Sequence, residues 1–215
     1  MTQPPVSPKI YHIVNVDRLP SIIASGSLYC DSEVIRLALP GTNIGMSDIK
    51  QSRLRRPVPC HAGTMVGNYV PFYFCPRSMM LYIISRANNP KLTYTGGQGP
   101  IVHLEADLHK VIAWANAEQR RWAFSDANGN AAYAQFWADT AQLHQLNWQH
   151  IASTDFRQQD VRDAKQAEFM IHHNFPWHLV DRIGVLSQAV FNQATNALNQ
   201  AAHRPPIEII RQWYY

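Results

Sequence analysis

The chain contains 215 residues, 46% of them hydrophobic and 16% charged, a composition that excludes an intrinsically disordered protein and suffices for the core of one globular domain. Lys and Arg number 19 against 15 for Asp and Glu, so the net charge of +4 permits an acidic partner such as nucleic acid without requiring one. The three cysteines lie far apart without a C-x-x-C spacing, which argues against a disulfide framework or a zinc site and favours a reducing compartment.

The N-terminal region is rich in proline and has no apolar leader, and no later run reaches the length of a membrane-spanning helix. We therefore expect a cytoplasmic protein with a flexible arm at residues 1–9 and a single domain at 10–215. The apolar run 10–14 predicts a short strand. A helix is predicted to follow it, with Asp17 as its N-cap and Gly26 as its left-handed end.

The rest of the chain alternates between strand-like and helix-like segments. Aromatic or β-branched runs predict strands, amphipathic or Ala-rich runs predict helices, and Gly and Pro punctuate an irregular stretch at 40–68. The predicted strands are 69–74, 101–104, 183–187 and 207–215, and the predicted helices are 76–86, 108–114, 131–143 and 188–202. Because these segments interleave without the period of a doubly wound parallel sheet, the predicted fold class is α+β.

A carboxylate interrupts the apolar run 165-KQAEFMIHH-173, which predicts a strand over 165–172. Strand alternation would place Glu168 on the same face as Gln166 and opposite Phe169, so that an amide and a carboxylate would share one small volume. Such a pair could bind a hydroxylated ligand, and the carboxylate could stabilise the oxocarbenium ion that forms when a glycosidic bond breaks. The alternative is a half-exposed strand whose polar face meets water.

Four cations crowd the irregular segment 44-IGMSDIKQSRLRRPV-58. They are Lys50, Arg53, Arg55 and Arg56. Because a guanidinium binds phosphate through two parallel hydrogen bonds, this segment would suit a pyrophosphate or a nucleic-acid backbone. A solvated basic patch without a ligand would have the same composition.

Three other residues add polar groups to apolar runs. His12 lies within the first predicted strand, where its ring could donate to a ligand or be packed and satisfied by the protein itself. Tyr73 and Arg77 belong to the aromatic block 69–82, which could form core structure or a stacking wall for a nicotinamide or a nucleobase. Neither a Walker nor a Rossmann glycine pattern is present, and no cluster of ligand residues predicts a metal site.

Four blocks of the sequence resemble the DarT family, bacterial toxins that ADP-ribosylate DNA. The blocks are 11-YHIVNVDRLPSII-23, 44-IGMSDIKQSRL-54, 71-PFYFCPRSMMLY-82 and 164-AKQAEFMIHHNFPW-177. They extend over nearly the whole chain, and the third and fourth carry the more specific motifs. The resemblance implies an ADP-ribosyltransferase fold, a split pair of small curved sheets with flanking helices, that binds NAD in its cleft and needs no metal.

The resemblance also assigns roles to individual positions. Glu168 matches the catalytic glutamate of the family and Arg53 its catalytic arginine, although Arg55 and Arg56 lie close enough to leave that choice open. The residues expected to hold NAD are His12, Ile13, Val14, Tyr29, Arg53 and Tyr73. Those expected to contact DNA are Lys50, Arg55, Arg56, Arg77 and Gln166.

The implied reaction transfers ADP-ribose from NAD to a base of single-stranded DNA, with thymidine favoured and guanosine possible, and releases nicotinamide. The alternatives are an enzyme of the same fold acting on RNA or protein, a nucleic-acid-binding module without catalysis, and a metal-free nuclease. A toxin of this class implies an antitoxin with the ADP-ribosyl-hydrolase activity of a macrodomain. We expect the protein itself to be a monomer.

Overall fold

The computed structural model of the chain describes residues 3–215. The strands of this region are β1 (Lys9–Asn15), β2 (Ser27–Tyr29), β3 (Tyr69–Tyr73), β4 (Ile101–Asp107), β5 (Trp122–Ser125), β6 (Phe136–Trp137), β7 (Glu168–His172), β8 (Asn174–Pro176), β9 (Arg182–Val185) and β10 (Ile207–Ile209). The α-helices are α1 (Leu19–Ser25), α2 (Asp31–Arg36), α3 (Ser47–Arg53), α4 (Met79–Arg86), α5 (Leu108–Ala117), α6 (Trp148–Ala152), α7 (Gln159–Ala164) and α8 (Gln188–Leu198). Strands and helices interleave, so the predicted α+β class is confirmed.

The strands form one eight-stranded sheet in the order β10-β9-β4-β1-β3-β7-β5-β6 and a two-stranded sheet made of β2 and β8. Within the large sheet, β1 pairs with β4 along all of its residues but with β3 only at Tyr11 and Tyr73. The sheet is therefore split between β1 and β3 into two four-stranded halves. The predicted pair of sheets is thus a large sheet with a seam, accompanied by one small sheet.

Pro71 explains why the seam opens. The Nδ1 atom of His12 lies 2.6 Å from the carbonyl oxygen of Pro71, so the polar edge of Pro71 faces β1. The N and O atoms of one strand residue point to the same side, and proline has no N–H to donate. A side chain of β1 consequently takes the place of a backbone hydrogen bond, and the two strands diverge beyond this point.

The chain entering β1 is hydrogen-bonded to the end of β4 and the start of α5. Lys9 is the first residue of β1, Ser7 donates to Asp107 at 2.6 Å, and the carbonyl of Pro8 accepts from Leu108 at 3.0 Å. The first two residues of the predicted arm lie outside the described residues, and the flexibility of residues 3–6 stays a prediction.

The prediction for the first helix was right at its end and wrong at its start. Gly26 ends α1 in the left-handed conformation with φ of 68°, as predicted. Asp17, however, lies in a 3-10 turn before α1, and its carboxylate accepts hydrogen bonds from the backbone and the hydroxyl of Thr42. Asp17 therefore fastens a distant segment instead of capping a helix.

Three segments differ from the prediction because tertiary contacts outweigh local propensity. Of the predicted strand 207–215, only Ile207–Ile209 forms a strand, and Arg211–Trp213 form a 3-10 helix. The irregular stretch 40–68 contains the helix α3. The Ala-rich run 131–143, predicted as a helix, instead forms β6 followed by a 3-10 helix, because Trp137 pairs with Phe124 of β5 and stacks on it at 5.4 Å. Among residues 3–215, no helix is long and apolar enough to cross a membrane.

Candidate active site

Glu168 is the first residue of β7 and lies between two neighbouring strands, opposite Tyr73 of β3 and Ser125 of β5. The predicted strand began too early, because residues 165–167 form the turn that follows α7. Gln166 therefore does not share a strand face with Glu168, although both side chains line one cleft. The alternative of a solvated strand face is also wrong, since Glu168 is only 1% exposed.

Arg53 neutralises this buried carboxylate. Its Nη1 atom donates to both oxygens of Glu168, at 3.0 and 2.9 Å, and Arg53 itself is 5% exposed. Burial alone would lower the pKa of Arg53, but the charge of Glu168, its hydrogen bond to Arg53 and the charge of Asp31 together outweigh burial, so the pKa lies above its ordinary value. The guanidinium therefore remains charged, and its Nη2 atom is buried without a hydrogen-bond partner among residues 3–215.

Helix α3 brings Arg53 to the cleft together with Lys50, because residues three positions apart lie on the same face of a helix. Lys50 is not free, since its Nζ atom lies 2.7 Å from Asp31 Oδ1 at the start of α2. This ion pair joins α2 to α3 across the cleft wall. The sequence did not predict a role for Asp31, because the contact spans 19 residues.

His12 projects from β1 at the seam. Because the carbonyl of Pro71 can only accept, His12 Nδ1 carries the proton of this hydrogen bond and Nε2 is left as an acceptor at the cleft. Burial lowers the pKa of His12 to about 4, in spite of the bond to Pro71. The ring is therefore neutral at pH 7 and offers one fixed acceptor to a ligand.

The other residues predicted to hold NAD line the same cleft. They are Ile13, Val14, Tyr29 and Tyr73. Burial raises the pKa of Tyr73, and the charge of Glu168 raises it further, so that the phenol stays protonated and can act as a donor. The predicted set is therefore brought together by the seam between β1 and β3.

Three predicted DNA contacts lie outside this cleft. Arg55 is exposed, Arg56 donates to the carbonyls of Ala131 and Ala132, and neither lines the cleft. Arg77 lies in a neighbouring pocket, where its guanidinium stacks on the ring of Tyr215 at 4.4 Å. Of the arginines between which the sequence left the choice open, only Arg53 contacts Glu168.

Several cleft residues were not singled out from the sequence. They are Arg18, Asp31, Thr42, Asn43 and Asn128. Their order in the chain carries no signal of a shared site, because long-range contacts bring them together. Asp17 was noticed only as a cap, but its bonds to Thr42 hold one wall of the cleft.

The arrangement is suited to stabilising a positive charge that develops in a partly dry cleft. A carboxylate buried beside a single guanidinium keeps lone pairs available for a ribose hydroxyl or for an oxocarbenium ion. The cleft also offers one histidine acceptor and the apolar surfaces of Ile13 and Met80. Among residues 3–215, no group of three His, Cys, Asp or Glu side chains is placed to hold a metal ion.

Comparisons with known proteins agree with this geometry. The sequence model of the family described as "ssDNA thymidine ADP-ribosyltransferase, DarT" matches residues 11–215. A DNA ADP-ribosyl transferase of Thermus sp. (strain 2.9) is 35% identical over 217 residues, which cover 100% of this chain and 99% of the relative. The DNA ADP-ribosyl transferase of Mycobacterium tuberculosis (strain ATCC 25618 / H37Rv) is 29% identical over 186 residues, 81% of this chain and 74% of the relative.

Two solved structures are similar over almost the whole chain. Thermus sp. 2.9 DarT in complex with ADP-ribosylated ssDNA has a TM-score of 0.90 and 33% identity, covering 100% of this chain and 99% of that one. The same protein in complex with NAD+ has a TM-score of 0.85 and 32% identity, covering 99% of this chain and 100% of that one. Given a family model that spans residues 11–215 and a relative that is 35% identical along the full chain, this protein belongs to the DarT family.

Proposed function

We propose that this chain is an NAD-dependent DNA ADP-ribosyltransferase that modifies thymine bases in single-stranded DNA and releases nicotinamide. The observation that carries the proposal is the buried pair of Arg53 and Glu168 in the cleft at the seam between β1 and β3. It is supported by the similarity of the whole chain to a Thermus protein solved both with NAD+ and with ADP-ribosylated ssDNA.

Glu168 would act on the nicotinamide ribose. As the bond between C1 of the ribose and nicotinamide breaks, the bonding electron pair leaves with nicotinamide and the ribose acquires positive charge. A carboxylate that is already desolvated stabilises that charge without reorganising solvent. A ring nitrogen of the base then forms the new bond to C1 and loses its proton.

The same carboxylate is the acceptor that we assign to this proton. Arg53 cannot take it, because the neighbouring charge of Glu168 keeps the guanidinium protonated. Arg53 instead orients the carboxylate through Nη1 and has Nη2 left to donate to a substrate. We therefore propose Glu168, and not Arg53, as the proton acceptor.

The NAD contacts follow from the cleft lining. We assign His12, Ile13, Val14, Tyr29 and Tyr73 to NAD, with Arg53 shared between NAD and the acceptor base. His12 Nε2 is an acceptor and therefore suits a ribose hydroxyl, which can donate. Tyr73 is adjacent to Glu168 in the sheet and suits the nicotinamide end.

Replacing His12 by asparagine is expected to raise KM for NAD about 3- to 10-fold, the value of one hydrogen bond, with a smaller change in kcat. Asparagine can place its Nδ2 donor where His12 Nδ1 lies, opposite the carbonyl of Pro71, but it has no atom at the position of Nε2, the acceptor at the cleft. Because the pKa of His12 lies at about 4, KM of the unaltered protein should stay flat between pH 8 and 5.5. Steady-state kinetics would measure KM of the variant and the pH dependence of KM of the unaltered protein, with His109→Asn, at an exposed histidine, as the control. A step in KM near pH 6.5 would contradict a neutral His12.

The DNA strand is proposed to approach the open side of the cleft. Gln166 lines the cleft and Lys50 faces it, although Lys50 is already paired with Asp31. Arg77 is held by stacking against Tyr215, and its Nε atom is buried with no partner in the described part of the chain, so it suits a phosphate flanking the modified base. Arg55 and Arg56 would contribute charge at longer range.

A neutralising partner is proposed from the chemistry of the product. An ADP-ribosylated base blocks pairing, so a cell containing this activity would need a hydrolase that removes ADP-ribose, the activity expected of a macrodomain antitoxin. Thermosipho africanus DarTG in complex with ADP-ribose shares the fold, with a TM-score of 0.74 and 15% identity, and the match covers 97% of this chain and 51% of that one. We place the reaction in the cytoplasm and expect the enzyme to act as a monomer.

Incubation with labelled NAD and a panel of single-stranded DNA, RNA and protein would test the proposed substrate. We expect label on single-stranded DNA only. Label on RNA or on protein alone would favour an enzyme of the same fold with another substrate. DNA binding without label on any member of the panel would favour a non-catalytic module, and either result would contradict the proposal.

A further inference from the structure

The turn between β5 and β6 lies against the catalytic carboxylate. Asn128 of this turn lines the same cleft as Arg53 and Glu168. A Cβ atom added to Gly129 would lie 3.3 Å from Glu168 Oε2, so the backbone of the turn is already close to that oxygen. The polar segment 125-SDANGN-130 therefore forms part of the wall of the active site.

Hydrogen bonds hold this turn in one conformation. Ser125 Oγ donates to the carbonyl of Ala127 at 2.7 Å, and Asp126 Oδ1 accepts from the backbone of Gln135 at 2.9 Å. From the segment that follows α3, Arg56 Nη2 donates to the carbonyl of Ala131 at 3.0 Å. Arg56 therefore supports the turn.

The orientation of the Asn128 amide is fixed by the same network. Its Oδ1 atom accepts from the backbone N–H of Asn130 at 2.9 Å. Only the oxygen of an amide can accept a hydrogen bond. Because Asn130 occupies this oxygen, the Nδ2 group is the part of the Asn128 amide that remains available to a ligand in the cleft. Within residues 3–215 this Nδ2 group has no acceptor, and neither has the buried Nη2 group of Arg53.

We propose that Asn128 is a specificity-determining residue that donates from Nδ2 to a carbonyl oxygen of the acceptor base. The inference rests on the proposed function and deepens it. In thymine, the nitrogen that attacks is flanked by two carbonyl oxygens, and loss of its proton spreads negative charge onto both. Donors on Asn128 and Arg53 match that pattern and stabilise that charge.

The other bases fit this pair of donors less well. Guanine flanks its ring N–H with one carbonyl and one amino group, cytosine flanks its ring nitrogen likewise, and adenine offers no carbonyl. When an amino group of a base faces a donor of the protein in a desolvated site, neither group has a hydrogen-bond partner. Such unpaired groups are the usual source of strong discrimination between substrates. Asn128 would therefore favour an imide base.

Two substitutions separate this role from a structural one. Asn128→Asp keeps the oxygen that accepts from Asn130 but turns the donor toward the cleft into an acceptor. Asn128→Ala removes both. The measurement is the ratio of ADP-ribose transfer onto a thymine oligonucleotide to hydrolysis of NAD by water. We expect this ratio to fall about tenfold in Asn128→Ala, because one hydrogen bond to a charged group is lost, and at least as far in Asn128→Asp. A merely structural residue would be rescued by aspartate.

Thio-substituted bases provide a second measurement. A thiocarbonyl is a poor acceptor, so 2-thiothymine and 4-thiothymine should each react more slowly with the unaltered protein. In Asn128→Ala the loss caused by one of the two analogues should shrink below about twofold, whereas the loss caused by the other, at the oxygen assigned to Arg53, should persist. A transfer ratio at the unaltered value in Asn128→Asp would overturn this inference while leaving the proposed function intact. No transfer to thymine by the unaltered protein would overturn both.

Discussion

Replacing Glu168 by glutamine is expected to lower kcat for ADP-ribose transfer about a thousandfold or more. Glutamine preserves the shape of the side chain but removes the charge that would stabilise the oxocarbenium ion and accept the proton of the base. Loss of a single preorganised group of this kind costs about 10²–10³ in rate, and here one residue carries two roles. Single-turnover kinetics with a thymine oligonucleotide would measure the loss.

The matched control for this experiment is Glu118→Gln. Glu118 is an exposed glutamate at the end of α5, and its substitution removes the same charge without affecting the cleft. Glu168→Gln should still bind NAD, because the contacts from His12 and Tyr29 are unchanged. Transfer within about tenfold of the unaltered rate would eliminate Glu168 as the catalytic residue.

Removing the partner of Glu168 is expected to affect both stability and activity. Arg53→Met would leave the carboxylate, which is 1% exposed, without its counter-ion, and breaking a buried ion pair in this way costs about 3–5 kcal/mol of unfolding free energy. Activity should fall about 10²- to 10³-fold, because Glu168 loses its orientation and the base loses the Nη2 donor. Urea unfolding and transfer kinetics would measure the two effects.

A double substitution tests whether the stability losses of Arg53→Met and Glu168→Gln both come from breaking the ion pair between these residues. Arg53→Met combined with Glu168→Gln removes both charges and leaves neither group unpaired. The double variant should therefore lose less unfolding free energy than the two single variants lose together. Activity should not recover. Arg55→Ala, at an exposed neighbouring arginine, serves as the stability control and should change the unfolding free energy by less than about 0.5 kcal/mol. Additive stability losses would mean that Arg53 and Glu168 are energetically independent.

The central pair was predictable from the sequence to different degrees. Glu168 stood out as a carboxylate in an apolar run, but strand alternation placed Gln166 beside it on a strand that begins only at Glu168. Arg53 could not be separated from Arg55 and Arg56 by residue type. Only the helix α3, which was not predicted, places Arg53 and not its neighbours on the carboxylate.

The core strands β1, β3, β4 and β9 were predicted in place because their residues are apolar and β-branched or aromatic, but the buried strand β5 was not predicted. The run 131–143 was wrong, because Ala-rich composition favours a helix locally whereas the stacking of Trp137 on Phe124 fixes a strand. A single-sequence pattern contains no information about such partners. The same holds for Asn128, whose role depends on a turn brought against Glu168 from 40 residues away along the chain.

The seam between β1 and β3 is the feature that was least predictable from the sequence. Pro71 was visible as one residue of an aromatic block, but its consequence depends on which strand lies beside it. Only the pairing of His12 with the Pro71 carbonyl reveals that β1 and β3 separate there and leave a cleft. Local sequence patterns predicted strands β1 and β3, but the site forms where these two strands stop pairing.

Intact-mass spectrometry of short single-stranded oligonucleotides, incubated with NAD and the enzyme, would show directly whether Glu168 transfers ADP-ribose to thymine. We expect that a thymine-only oligonucleotide gains the mass of one ADP-ribose, that a guanine-only oligonucleotide does not, and that Glu168→Gln abolishes the gain. An unmodified thymine oligonucleotide, or one cut into shorter strands as by a nuclease, would contradict the proposed transfer reaction.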